Sequence, residues 1–253
     1  MIPLAVDRYL SERAPPRIAV HWHAYKEWRW GDPLVRHLKR LCDPDKLSID
    51  VGAHTGAYLY FMRRHSARCV AFEPNPGLLS ILRARFPRRV EILPYALSNR
   101  SGVERLRVPV IAGAPNLGRA TIEPANRFAA EQAIEIETRR LDAFELGPVG
   151  LIKIDVEGHE LEVLSGAAAL LGRDRPNLIV EVEDRHRPGA TRSVFEHLAA
   201  LGYAGWFRFG DALLGVEQFD PALHQRGERV GSKLPYVVNF VFSVDPGIRR
   251  DLA

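Results

Sequence analysis

The stretch "KLSIDVGAHTGAYLYFMRRH" (46–65) decides the fold. Its first seven residues, 46–52, are apolar and β-branched enough for a strand buried on both faces. Residues 56–65 then carry a helix-length pattern. Asp50, Gly52 and Gly56 fall in the strand-to-helix turn between them. Glycines there allow close backbone approach, and the following helix N-terminus favours a carboxylate or phosphate. A tight βα turn with no ligand is an equally ready reading, because His54 stands where a G-x-G-x-x-G fingerprint wants its second glycine.

Outward from this stretch the alternation continues. Further strands are expected at "RCVAFEP" (68–74), "VEILPYALS" (90–98), "LIKIDVE" (151–157) and "NLIVEVE" (177–183). Helices are expected at 75–86, 160–171 and 192–202, the second of these packing Leu161, Leu164, Ala168 and Leu171 on one face. Strands alternating with helices imply right-handed crossovers and a doubly wound parallel α/β sheet. The end differs: "YAGWFRF" (203–209) and "PYVVNFVFSV" (235–244) have no helix between them and read as an antiparallel pair closing one edge. Residues 109–140 interrupt the alternation, and a break of that length is usually a functional lid or a flexible loop. The division expected is an aromatic-rich segment at 1–45, making substrate or oligomer contacts, and a main domain at 46–253 with a lid-like insertion at 109–140.

The 253 residues suit one large α/β domain, with 46% hydrophobic and 26% charged residues, which excludes wholesale disorder. A net charge of +4, carried mostly by arginine, permits an anionic ligand without demanding one. Two cysteines are too few for a disulfide framework or a zinc knuckle. The opening "MIPLAVDRYLSERAPPR" has no long apolar core, so no secretory signal is expected. No apolar run reaches membrane-spanning length. The default expectation is a cytoplasmic protein.

An acidic position points to a nucleotide end. Glu73 closes the second strand about 20 residues after the glycine turn, where an acidic side chain can hold the hydroxyls of an adenosine ribose. The Pro-bearing turn "EPNP" follows it. Opposite lies "DVEGHE" (155–160), three carboxylates and an imidazole where a buried strand ends. N-capping and complementarity to the helix dipole explain such carboxylates equally well.

In the order "IDVGAHTG", "VAFEPNP", "YALSNRSG", "LIKIDVEGHELEVLSGA", "RPNLIVEVE" and "VVNFVF", the sequence closely resembles the FkbM-type S-adenosylmethionine-dependent methyltransferases, over roughly residues 46–244. The resemblance implies a class I, Rossmann-like fold with a seven-stranded, mostly parallel sheet and an antiparallel C-terminal edge. It implies S-adenosylmethionine as cofactor, with Asp50, Gly52, Ala53 and Gly56 around its methionine moiety. Glu73 would bind the ribose, Pro74 and Asn75 would flank it, and Ala96, Leu97 and Ser98 would lie along the adenine. It also suggests a hydroxylated acceptor, such as a mono- or oligosaccharide, a glycolipid or a similar natural product. The departures from the family pattern are the N-terminal segment and the 109–140 insertion.

Methyl transfer to an alcohol needs alignment and help with one proton. His159 is the natural base, Asp155 would sit beside the methyl-bearing sulfur, and Glu157 or Glu160 could orient the imidazole. Asp155 with Glu181 and Glu183 could instead hold magnesium. For the acceptor, Trp22, Tyr25, Trp28 and Trp30, with His21 and His23, offer faces for sugar rings. Such tryptophans also dock a segment onto a core. Asn116, Arg119 and Arg127 could reach the acceptor from the insertion, or simply solvate it. Two other readings stay open. One is an RNA or protein methyltransferase of the same fold, which the basic charge favours and the lack of an RRM or KH signature opposes. The other is a non-catalytic nucleotide-binding module. A nicotinamide dehydrogenase is disfavoured by the imperfect glycine pattern and the antiparallel edge.

Overall fold

A computed structural model describes residue 7, residues 9–230 and residues 234–252. The first six residues of the stretch read as lacking a secretory signal lie outside these.

Helix α1 (Pro16–Trp30) leads through short turns into strand β1 (Leu47–Val51), all five residues of which are buried. There follow α2 (Ala57–Met62), β2 (Arg68–Phe72), α3 (Pro76–Arg85) and β3 (Val90–Leu93). Pro94 cannot donate to a ladder. Beyond it the strand expected over 90–98 leaves the sheet, and β4 (Tyr95–Leu97) pairs elsewhere. Strands β5 (Gly102–Ile111), β6 (Ala114–Pro115) and β7 (Glu131–Arg139) come next. They are followed by β8 (Val149–Ile154), α4 (Glu160–Ser165), α5 (Ala168–Asp174), β9 (Asn177–Glu181) and α6 (Ala190–Ala200). The chain closes with β10 (Ala204–Phe209), β11 (Ala212–Gly215), β12 (Asn239–Ser243) and α7 (Ile248–Leu252).

The main sheet runs β11-β10-β12-β9-β8-β1-β2-β3. Its β9-β8-β1-β2-β3 portion is parallel, and β12, β10 and β11 pair antiparallel. This is the doubly wound sheet with an antiparallel edge that the sequence implies, carrying an eighth strand, β11, as the hairpin partner of β10. The order reverses between β1 and β8, which makes their carboxyl ends the topological switch point.

Alternation along the strands divides the core. Val70, Phe72, Ile152, Ile154 and Val180 pack with α4, α5 and α6 on one face. Cys69, Ala71, Leu151 and Ile179 pack with α1, α2 and α3 on the other. By the same parity Asp50, Lys153, Asp155 and Glu181 belong to this second face.

Two expectations are corrected. The helix over 160–171 is broken after Ser165, because Gly166 packs so closely that a Cβ there would lie 2.0 Å from the Ser98 carbonyl oxygen. The buried face is Val163, Leu164, Ala167, Leu170 and Leu171, while Ala168 is exposed. Secondly, much of the 109–140 insertion is sheet: β5 and β7 form a long antiparallel ribbon, in a second sheet ordered β4-β7-β5-β6.

Candidate functional site

Three cavities lie in series along the carboxyl edge of the main sheet. The first, of about 830 Å³, is lined mainly by apolar groups, among them Leu78, Leu97, Leu106, Leu117 and Ile122, with Glu73 as an acidic exception. The second, central compartment, of about 580 Å³, is polar, lined by Asp50, Lys153, Asp155 and Glu181. Gly52, His54 and Asp155 border both. The third is a vestibule of about 1320 Å³ that shares Glu27, Asp32, Glu181 and Asn239 with the central compartment.

The junction between the first two depends on Gly52. Its φ is +76°, and a Cβ would lie 1.9 Å from the Asp155 carbonyl oxygen, so the turns after β1 and β8 touch through backbone alone. Glu73 is buried. Its carboxylate accepts the His54 and Asn75 N–H groups, each at 2.9 Å, and burial pushes its pKa up to about 7. Each oxygen keeps a lone pair for a ligand hydroxyl. Pro74, Ala96 and Leu97 line the same cavity, as do the backbone and side chains of 117–118 and 120–122. That segment is held to β5 by backbone bonds between Arg107 and Thr121 at 2.9 and 3.0 Å. It is held to the loop after β8 by the Thr121 hydroxyl, which donates to the Glu157 carbonyl at 2.9 Å.

In the central compartment Asp50 is almost fully buried, yet neither carboxylate oxygen has a hydrogen-bond partner. Burial raises its pKa to about 6, Lys153 opposing and Asp155 reinforcing the rise. Lys153 replaces an apolar residue on a buried face and donates to Asp155 Oδ2 at 2.7 Å. Burial would drive its proton off, but Asp155, Asp50 and Glu181 more than reverse this, and the ammonium is held well above the usual lysine range. The Tyr58 ring lies 5.1 Å away. Tyr58 in turn donates its hydroxyl to Asp32, which also caps the next turn by accepting the Leu34 N–H at 2.8 Å.

The structure rearranges the expected catalytic and metal groups. The His159 Nε2 bonds the Ser98 hydroxyl at 2.9 Å, and Nδ1 faces Glu123 and Glu162 at 3.7 and 3.8 Å. His159 borders the first cavity but not the central compartment. Neither expected orienter serves it: Glu157 lies 3.0 Å from His186 Nε2, and Glu160 accepts the Gly158 N–H at 2.9 Å. Ser98, expected beside the adenine, is spent on His159 and is off the cavity wall. The metal set Asp155, Glu181 and Glu183 does not converge. Glu183 is engaged by Arg185 at 2.5 and 2.7 Å and by the Tyr236 hydroxyl at 2.5 Å, while the Lys153 ammonium sits on Asp155. Among the described residues, Glu123, His159 and Glu162 alone bring ligand atoms together, within 4.8 Å, and Arg187 already pairs with Glu162 at 2.7 Å.

The expected acceptor groups lie elsewhere too. Trp28 and Trp30 are 46% and 57% exposed, Arg36 covers the Trp28 ring, and Trp22 bonds Asp7 at 2.9 Å. None of them, nor Asn116, Arg119 or Arg127, lines the central compartment or the vestibule. The N-terminal segment contributes Glu27 and Asp32 instead. Lys153 was the missed residue with a legible signal, since a lysine two residues before Asp155 in an apolar strand shares its face. Asp32 and Tyr58 carried no signal linking them.

The fit to S-adenosylmethionine can be tested on these observations. An orphaned buried carboxylate at Asp50 suits an α-ammonium, the glycine contact leaves room that any Cβ would fill, and Glu73 suits a ribose in an otherwise apolar cavity. The residues fit.

Comparison with known proteins agrees. The hexuronic acid methyltransferase AglP of Haloferax volcanii is 29% identical over 148 residues, 56% of this chain and 58% of that protein. The 2-O-methyltransferase NoeI of Sinorhizobium fredii is 28% identical over 151 residues, 52% of this chain and 61% of that one. The chain thus matches about three fifths of the length of these curated relatives. The crystal structure of the FkbM methyltransferase from Methylobacillus flagellatus superposes with a TM-score of 0.50 at 16% identity, covering 94% of this chain and 58% of that one, a likeness of fold. The family model for the methyltransferase FkbM domain matches residues 50–205, and the chain belongs to that family.

Proposed function

We propose that the protein is an S-adenosylmethionine-dependent O-methyltransferase acting on a hydroxyl of a saccharide or similar polyol. The observation that carries this is the pairing of Glu73 in an apolar cavity with an unpartnered Asp50 in the adjoining polar one, joined at Gly52 and Asp155. Leu97, Leu106 and Ile122 would enclose the adenine, and Glu73 would accept from the ribose hydroxyls. Asp50 would take the α-ammonium, with Lys153 close by. When bound, the cofactor supplies an electrophilic methyl group on a positively charged sulfur. The chain's own work is to fix the geometry, exclude water and receive one proton. Lys153, locked on Asp155, sets the loop at the end of β8 where methyl and hydroxyl would meet.

A saccharide acceptor is supported by the two relatives, one named for hexuronic acid and one for 2-O-methylation. A cytoplasmic location fits two free, buried cysteines. No helix among the described residues is long and apolar enough to cross a membrane.

Calorimetry tests the reading. S-adenosylhomocysteine should bind and NAD should not. Glu73→Ala should weaken S-adenosylhomocysteine binding by about 10- to 100-fold, the loss expected for hydrogen bonds to a buried charged group. Unchanged affinity would remove Glu73 from the cofactor site.

A further inference from the structure

The wall between the central compartment and the vestibule has no assigned role. Asn239 of β12 and Glu181 of β9 are register partners on neighbouring antiparallel strands, and both face the two cavities. The Asn239 Oδ1 is buried without a donor. The Glu181 carboxylate forms no hydrogen bond or ion pair with another described residue, its backbone alone being engaged in the ladder. The other two wall carboxylates are already occupied: Asp32 accepts from Tyr58 and Leu34, and Glu27 accepts the Asp32 N–H at 2.6 Å. The nearby cations are hydrogen-bonded elsewhere, although Lys153 still pulls on Glu181. Lys153 is drawn onto Asp155, and Arg208 in the vestibule donates to the Leu252 carbonyl.

Resting on the methyltransferase reading, we propose that the acceptor arrives through the vestibule, that Asn239 holds it, and that Glu181 takes the proton of the reacting hydroxyl. The acceptor is then a donor-rich polyol, uncharged or bearing an ammonium group, and not a uronate. The physical reason is complementarity. Oxygen acceptors lacking donors in a confined space are satisfied by a ligand that brings O–H or N–H groups. A ligand carboxylate would instead set further acceptor oxygens against those of Asn239, Glu27, Asp32 and Glu181, a mismatch that excludes wrong partners.

In the step, the hydroxyl oxygen bonds the methyl carbon as the carbon–sulfur bond breaks. The bonding pair stays on sulfur, and the hydroxyl hydrogen passes to the Glu181 carboxylate as a proton. Burial, then the neighbouring Asp155, push the Glu181 pKa well above the usual carboxylate range, against the pull of Lys153.

The test uses the full chain, S-adenosylmethionine carrying a labelled methyl group, and matched methyl glycosides of gluco, galacto and manno form. Each is offered as the neutral sugar, the amino sugar and the uronate. Label should enter neutral or amino members, with uronates at least about tenfold poorer in kcat/KM. Glu181→Gln should bind S-adenosylhomocysteine like the wild type, which reports an intact fold and cofactor site. Its kcat should fall about 100-fold or more with little change in KM, the size of a lost proton acceptor. Asn239→Ala should instead raise KM. Preference for uronates, full kcat in Glu181→Gln, or a wholly inert panel with the homocysteine product still bound would each overturn the proposal. Failure of the wild type to bind S-adenosylhomocysteine would strike the methyltransferase reading itself.

Discussion

At its Asp155 end the loop 155–160 meets Lys153, Asp50 and Glu181, and at its His159 end it meets Ser98, Glu123 and Glu162. Both ends gather acids around a cation, but the cations differ in origin. Lys153 rises from within a core strand and is buried, whereas Arg187 reaches the second cluster from the loop before α6 and is partly open to solvent. The buried ammonium compensates the acids while leaving Asp50 and Glu181 without hydrogen bonds, ready for a ligand. The second cluster turns on itself: His159 Nε2 bonds Ser98, its Nδ1 faces Glu123 and Glu162 beyond hydrogen-bond distance, and Glu162 holds Arg187. Proximity in sequence therefore says little about shared chemistry here. What matters is which face each residue inherits.

The sharpest way to break this contrast is to remove the internal cation. Lys153→Met should cost about 3–5 kcal/mol of unfolding free energy, the penalty for leaving buried charges uncompensated. It should also abolish S-adenosylhomocysteine binding, so urea unfolding and calorimetry would read both effects. A variant as stable as the wild type would show the compartment to be solvated, and the comparison would collapse.

Acidity gives a second, smaller lever. The folded pKa of Asp50 lies near 6 against an ordinary 3.8, and those of Glu73 and Glu160 lie near 7 against 4.5, burial being the main cause in each. Between roughly pH 4 and 7 the folded state keeps protons that the unfolded chain has released, so these groups make stability fall as pH rises. Melting temperature without ligand should decline across that window, and Asp50→Asn should flatten the slope. Stabilisation by S-adenosylhomocysteine should grow over the same range, because an ionised Asp50 is the better partner for an ammonium group. A pH-independent ligand effect would detach Asp50 from that role.

The smallest effect belongs to His159. His159→Gln should cost about 1 kcal/mol, the value of one hydrogen bond, and leave the methyl-transfer rate near that of the wild type. A fall of about 100-fold would restore the imidazole as the base.

Much of the frame could be read from residue order. The apolar runs around Ile49, Val70, Ile152 and Ile179 place four central strands, and Asp50 and Glu73 mark their carboxyl ends. The cavity groups that escaped notice did so for identifiable reasons. Lys153 looks like an interruption until strand parity sets it beside Asp50 and Asp155. Asp32 and Tyr58 meet only because α1 packs back over α2 and α3. The ribbon of β5 and β7 was hidden inside a stretch read as an insertion, although Ile134, Ile136 and Thr138 alternate with charged residues as a half-buried strand requires. His159 reads as a base because an imidazole at the end of a central strand suits proton transfer, and one-dimensional spacing does not show that its ring turns to Ser98.

The segment crossing the first cavity has a consequence for turnover. Its ties to Arg107 and Glu157 hold it across the first cavity, where the proposed nucleoside would lie, while the vestibule opens at the far end of the row. The two reactants would then come and go through separate doors. A methylated product could diffuse away while the spent nucleoside waits for two backbone hydrogen bonds and one hydroxyl contact to part. In such an arrangement the slow event of each cycle is departure rather than bond making, and the first turnover outruns those that follow.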